Sequence, residues 1–217
     1  VVIVTGAGDR AFCAGADPTP MSESADRLEG TSAPSEPPQR RKTPGLDDLY
    51  RTMLHTYKPV IGAINGLCYG GGTVMATSLD FLIGCEKSSF RFLAVNYGQM
   101  NATWSLPTMI GWPRVKELLY SGREVFADEA YHMGLINHLV PSEQLIDKTV
   151  EIAAGIAKNR AEGVANIKQL LLEHTGLPLE EQFRNEVEGR RERFAGLSVE
   201  DGFKDFLDRK GRKPLAS

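Results

Sequence analysis

The sequence predicts an α/β layered domain that ends in a helical region. Three observations carry that expectation. Residues 1–5 and 60–64 are short β-branched runs of the kind buried on both faces of a parallel sheet. Strand-like and helix-like segments alternate between residues 46 and 85, at the spacing of layered α/β cores. From Ala127 onward the hydrophobic pattern is helical almost throughout.

Taken in order, residues 1–5 form the first strand, and residues 22–45 (SESADRLEGTSAPSEPPQRRKTPG) read as loop from their Pro, Ser and Gly content. Apolar residues in 46–54 recur at helical spacing. Residues 58–64 make a second buried strand that stops at Asn65-Gly66. Gly70-Gly71-Gly72 leads into a helix of small residues over 73–79, and 80–85 is a third strand. Helices are expected over 127–133, 142–158, 161–173, 179–194 and 199–207. Ser142 suits a helix start, and Asp128-Glu129 suit a first turn. This divides the chain into a core of residues 1–141 and a helical region of 142–217. So long a helical run is more than one small sheet can cover, and it needs another surface to pack on.

One motif invites a nucleotide reading. Gly6-Ala7-Gly8-Asp9-Arg10-Ala11 follows a strand and matches G-x-G-x-x-A. A dinucleotide fold then requires a helix, yet the next residues contain Gly15, Pro18 and Pro20, and proline breaks a helix interior. The second strand with its acidic end, about 20 residues on, is also missing. The context excludes that reading.

Composition narrows the function further. A chain of 217 residues forms one domain, or one domain with an appendage. Its net charge of −3 gives no basic field for nucleic acid. Gln39-Arg40-Arg41-Lys42 is a solvated loop patch. Cys13, Cys68 and Cys85 lack metal-ligand spacing and fit small buried side chains in a reducing, cytoplasmic setting. His55, His132, His138 and His174 show neither metal nor triad spacing, and surface placement is expected for all four. No apolar run approaches the roughly 20 residues of a membrane span, and no signal peptide precedes the first strand.

Two strands end in turns of small residues, Ala14-Gly15-Ala16 and Gly70-Gly71-Gly72. Small side chains let backbone amides approach a ligand, and two converging amides form an oxyanion hole. The same glycines also suit plain helix-on-sheet packing, and composition leaves both readings open. At this point a wider pattern emerges. Phe12-Cys13-Ala14-Gly15-Ala16-Asp17, then 58–66 with Gly70-Gly71-Gly72, resembles the crotonase (enoyl-CoA hydratase/isomerase) superfamily. Asp80, Leu106-Pro107 with Gly111, Glu117-Leu118-Leu119 with Gly122-Arg123, residues 127–130, residues 134–137 with Val140-Pro141, and residues 198–206 continue the match in order.

That resemblance implies a spiral of stacked ββα turns with a helical C-terminal region that builds a homotrimer or a dimer of trimers. It also implies an acyl-CoA thioester substrate, with coenzyme A carried in on the substrate and no separate cofactor. The thioester oxygen would sit on the amides of Ala16 and Gly71. Ala14, Asp17, Tyr69, Gly70 and Gly72 would line the substrate site. The family's first hairpin and helix, which help hold the CoA adenine, are absent from this stretch of chain.

The departures matter as much. The two positions where hydratases carry glutamates hold Val74 and Ala94, and neither can move a proton. The chemistry of some relatives uses an aspartate in the loop that follows; Asn101 falls near that place, with Tyr97 as a further polar candidate. Glu124 is a spare carboxylate, more readily a solvated surface residue. Trp104 reads as packing first and as pocket wall second. The expected function is therefore that of an enoyl-CoA hydratase/isomerase family protein that stabilises a thioester enolate without the usual glutamates. Isomerisation, thioester hydrolysis, decarboxylation and a non-catalytic acyl-CoA-binding or assembly role are the alternatives.

Overall fold

The computed structural model describes residues 1–16 and 46–193. Asp17, the loop that follows it and the expected helix at 199–207 lie outside the described residues. The chain forms two compact units, Val1–Ala165 and Asn166–Ser217.

In the first unit the chain repeatedly runs along one sheet, turns a tight corner and continues in a second sheet. The first sheet is parallel, in the order β1 (Val2–Thr5), β3 (Val60–Ile64), β5 (Phe81–Cys85) and β8 (His138–Val140). The second contains β2 (Ala11–Cys13), β4 (Leu67–Tyr69), β6 (Ser89–Arg91) and β7 (Glu124–Phe126), parallel except for the last pair. The helices are α1 (Leu46–His55), α2 (Gly71–Thr77), α3 (Leu106–Ile110), α4 (Trp112–Ser121), α5 (Ala127–Met133) and α6 (Leu145–Ala157). Helix α7 (Ala161–Glu173) crosses into the second unit, which also holds α8 (Leu179–Arg193). Within that unit a Cβ added at Gly189 would meet the Leu170 side chain at 3.6 Å, so the two helices touch there.

The expected strands and helices of the first sheet are present, and the stacked ββα spiral is the fold. The second sheet is what the sequence hid. Its strands have only three residues each, too few to show a period of two.

All five residues of β3 are buried, and alternation explains why. Val60 and Ile64 join Leu82 in a core shared with Phe12, Cys68, Phe90 and Val125 of the second sheet. Ile61 and Ala63 point the other way and pack with Ile83, Cys85 and Leu145 under α6. Each fully buried Ile or Leu here contributes about 1.5–3 kcal/mol. Helix α6 thus belongs to the sheet's own core, and the compact unit runs past the boundary expected at residue 141. Ser142 does not cap that helix. Residues Ser142–Gln144 form a 3₁₀ turn, and the Ser142 backbone amide and hydroxyl both donate to the Glu86 carboxylate.

The corners are held by side-chain and backbone bonds between successive layers. Asn65 accepts from the Gly6 amide at 3.1 Å, and its Nδ2 donates to the carbonyls of Gly6 (3.1 Å) and Gly8 (2.9 Å). The Leu67 amide donates to the Arg10 carbonyl at 3.2 Å. Ser88 Oγ donates to the Ile64 carbonyl at 2.6 Å and accepts from the Cys85 amide at 2.9 Å. The G-x-G-x-x-A segment is one of these corners. Its Gly6 is required because a Cβ there would fall 1.9 Å from the Ala11 carbonyl oxygen.

Asp80 ties the next layer, its carboxylate accepting from the Val60 amide at 2.6 Å. Arg123 holds Glu129 and Glu117 at 2.5 and 2.8 Å. Hydrogen bonds from its guanidinium keep the Glu129 carboxyl below the usual carboxylate range. Among the described residues no helix is long and apolar enough to cross a membrane.

Replacing Asn65 with alanine removes three bonds to backbone and leaves the Gly6 amide without its acceptor. Asn65→Ala should cost about 2 kcal/mol in urea unfolding, at an unchanged m-value. A loss below about 0.5 kcal/mol would show that the corners hold without this side chain.

Candidate functional site

The stacked corners deliver the two small-residue turns to one place. β2 runs out into Ala14-Gly15-Ala16, and its neighbour β4 runs out into Gly70, where α2 begins. Gly15 has φ +97°, and a Cβ there would lie 3.0 Å from the Tyr69 carbonyl oxygen and 3.4 Å from the Gly71 amide nitrogen. Gly72 faces Cys13 so closely that a Cβ would meet its carbonyl oxygen at 2.2 Å. The turns pack glycine to glycine, and only residues without side chains allow that approach. No side chain caps the start of α2. Gly70 is pinned from both ends: its amide donates to the Arg91 carbonyl at 3.0 Å, and its own carbonyl accepts from the Thr73 amide (3.1 Å) and hydroxyl (2.7 Å).

A cavity of about 760 Å³ opens beside this junction. Gly71 and Val74 of α2 form one wall. Met100, Asn101, Ala102, Thr103 and Trp104 form a second. Tyr50, Arg51, Leu54 and His55 of α1 form the third. Val74 faces the cavity as its place one turn into the helix requires. None of the described residues lining it is an aspartate or a glutamate.

Of the residues singled out from sequence, Gly71, Val74, Asn101 and Trp104 line the cavity. Gly70 and Gly72 build the junction beside it, Ala14 and Ala16 flank Gly15 in the facing turn, and Asp17 lies outside the described residues. Trp104 is half exposed at the cavity instead of being packed into the core. Ala94 sits in the 3₁₀ helix Leu93–Tyr97 and is not among the lining residues. Tyr97 is exposed and away from the cavity, because that 3₁₀ turn directs it outward.

Tyr69 and Glu124 do not line the cavity either. Both face away from the core on the second sheet, where the Tyr69 hydroxyl donates to Glu124 and pairs with Ser89 Oγ at 3.2 Å. Burial and the Glu124 hydrogen bond raise the Tyr69 pKa, so the hydroxyl keeps its proton at neutral pH. Alternation along β4 decides this: Cys68 faces the core, so Tyr69 must face away.

Helix α1 supplies residues that sequence reasoning missed. Tyr50 and Leu54, like Arg51 and His55, are spaced i, i+4 and so share a helix face. The Tyr50 hydroxyl donates to the Gly71 carbonyl at 3.1 Å, which fastens α1 to the junction. His55 is exposed, as expected, but it lies at the cavity and not on an unrelated surface. The signal was the shared face of a helix directly before a buried strand, which requires knowing where that strand leads.

Comparison with known proteins agrees with this architecture. The family described as "Enoyl-CoA hydratase/isomerase" matches residues 1–214. The chain belongs to the enoyl-CoA hydratase/isomerase family. It is 34% identical over 175 residues to the "Probable enoyl-CoA hydratase EchA12" of Mycobacterium tuberculosis, covering 79% of this chain and 60% of that protein. Against the short-chain-enoyl-CoA hydratase of Clostridium acetobutylicum it is 30% identical over 213 residues, 96% of this chain and 77% of the relative. The crystal structure of an enoyl-CoA hydratase from Bacillus anthracis superposes with a TM-score of 0.79 at 31% identity, covering 99% of this chain and 80% of that one. The chain spans only 58–60% of the length of its mycobacterial enoyl-CoA hydratase relatives.

Since Tyr69 and Glu124 pair with each other on the far face of the second sheet, their hydrogen bond supports the sheet. Tyr69→Phe should cost about 0.5–1.5 kcal/mol in urea unfolding. An unchanged midpoint would show that the pair contributes nothing to stability.

Proposed function

We propose that this family member acts on an acyl-CoA thioester by holding the thioester oxygen on the backbone amides of Ala16 and Gly71. The observation that carries the reading is the glycine-to-glycine junction beside the cavity. It brings two strand ends together, and side chains at Gly15 or Gly72 would prevent it. Two amides aimed at one oxygen stabilise negative charge as it develops there, and a thioester enolate is such a charge.

The cavity's lining bears on which enolate chemistry follows. Val74 stands where hydratases use a glutamate, and the lining offers no carboxylate among the described residues. A neutral aliphatic side chain neither activates water nor returns a proton. The reaction therefore draws its proton from another group or from the substrate. Isomerisation, thioester hydrolysis and decarboxylation stay closer to this site than hydration does. The same lack of carboxylates supports a second reading, a non-catalytic acyl-CoA-binding or assembly subunit.

Assembly is part of the proposal. Ile167, Leu171, Leu179 and Phe183 of the helical region are each more than 60% exposed, which suits helices that pack on a second copy. Light scattering of the full-length protein at micromolar concentration should give a trimer or a hexamer. A monomer would contradict this.

The amide itself can be tested without disturbing the turn. A Cβ at Gly71 would meet nothing closer than the Tyr50 hydroxyl at 3.5 Å, so Gly71→Ala keeps both fold and N–H. Proline is tolerated at a first helical position but has no N–H. Across a panel of acyl-CoAs, Gly71→Pro should lower turnover about 10²–10³-fold, while Gly71→Ala stays near wild type. Wild-type hydration of crotonyl-CoA should be negligible. Turnover in the usual range of about 1–10³ per second would overturn the reading of a carboxylate-free site.

A further inference from the structure

The Gly71 amide and the Gly70 carbonyl are the two ends of one peptide group. That group is planar, so its N–H points opposite to its C=O, and whatever fixes the carbonyl fixes the direction of the amide. The backbone alone holds this plane weakly. Glycine lies on both sides of it, and Gly70 has φ 53° and ψ −117°, a combination that L side chains rarely adopt. Among the described residues no acceptor meets the Gly71 amide, as befits the first N–H groups of a helix. The hold therefore comes from the carbonyl end.

Thr73 supplies it. Its hydroxyl donates to the Gly70 carbonyl at 2.7 Å and its amide donates to the same oxygen at 3.1 Å. Thr73 is completely buried, so water does not compete for either bond. The residue is itself seated from behind: its carbonyl accepts from the Thr77 hydroxyl at 2.9 Å, and Thr77 Oγ1 pairs with Ser105 Oγ at 2.7 Å. Ser105 directly follows the 100–104 wall of the cavity, so this buried pair ties α2 to that wall. A hydrogen bond accepted by a carbonyl also polarises its peptide group, which strengthens the N–H at the other end as a donor.

We infer that Thr73 is a positioning residue whose hydroxyl aims and polarises the Gly71 amide through the peptide group they share. This rests on the reading that the Ala16 and Gly71 amides hold the thioester oxygen. Thr73 touches no substrate. It acts on the strength and direction of a donor that does, and the part of it that acts is the hydroxyl.

The test reads the thioester oxygen directly, by difference infrared spectroscopy of butyryl-CoA isotope-labelled at the thioester carbonyl and bound to the full-length protein. Hydrogen bonds to that oxygen lower its carbonyl stretch. The wild type should lower it below its value in water, and Gly71→Pro should lose most of that shift. Thr73→Val, which keeps the shape but not the hydroxyl, should give back at least about 10–30% of the shift, the part that polarisation alone contributes. Thr73→Ser should keep the shift in full. The spectrum reports bound ligand only, so a loss of stability or affinity does not move it. Thr73→Ala takes the place of Thr73→Val should the latter not fold, with the same expected loss. An unchanged stretch in the variant without the hydroxyl overturns the role of Thr73 and leaves the two-amide reading standing. A loss of equal size in Thr73→Ser also overturns it, because packing and not the hydroxyl would then be responsible. If butyryl-CoA does not bind, if the wild type lowers nothing, or if Gly71→Pro keeps the full shift, the two-amide reading fails together with this inference.

Discussion

The stacking of corners is the constraint on which the rest of this structure depends. Each layer leaves the first sheet, turns within two to five residues and enters the second, so polar backbone is exposed at every turn. Asn65 closes the first two layers by bonding three backbone groups of the Gly6–Gly8 corner, and Ser88 does the same between the second and third. These bonds set the register of short strands that have too few ladder bonds to set it alone. With that register in place, β2 and β4 end side by side, and their glycine turns must meet.

Once the turns meet, the site's geometry follows from small residues and pinned carbonyls. Gly15 and Gly72 permit an approach that a Cβ would crowd, and Gly70 adopts φ +53°, the left-handed region that favours glycine. Thr73 and Arg91 then hold Gly70, and Tyr50 fastens the preceding helix to Gly71. The polar contacts at the junction thus run through backbone atoms. An amide cannot lose its place to a rotamer change, which is why backbone donors suit the stabilisation of developing charge.

The same alternation that builds the sheets sorted the candidate residues. Val74 faces the cavity because it lies one turn beyond Gly71, and this could be counted along the chain. Tyr69 is adjacent to the glycine turn in sequence, yet it points away with Glu124, because Cys68 takes the core side of β4. Adjacency in sequence placed Tyr69 near the site, and a period of two turned it away from the cavity. Ala94, placed by the family pattern, and Tyr97, a polar candidate beside it, both lie in a 3₁₀ turn and are not among the residues lining the cavity.

The sequence by itself determined the class of fold, the buried strands at 60–64 and 81–85, the failure of the G-x-G-x-x-A segment as a nucleotide site, and the family. Those follow from local chemistry: β-branched runs, proline positions and an ordered set of motifs along one chain. Tertiary structure alone decided that α1 contributes Tyr50, Arg51 and His55 to the cavity, that no described lining residue is acidic, and that α6 belongs to the core. It also decided that Thr73 is buried with its hydroxyl on the Gly70 carbonyl, and that Thr77 behind it meets Ser105. Three-residue strands carry no readable period, and a helix's inward face has meaning only once its neighbours are known. A hydrogen bond between hydroxyls far apart in the chain is a property of the packed structure, with no local pattern to announce it.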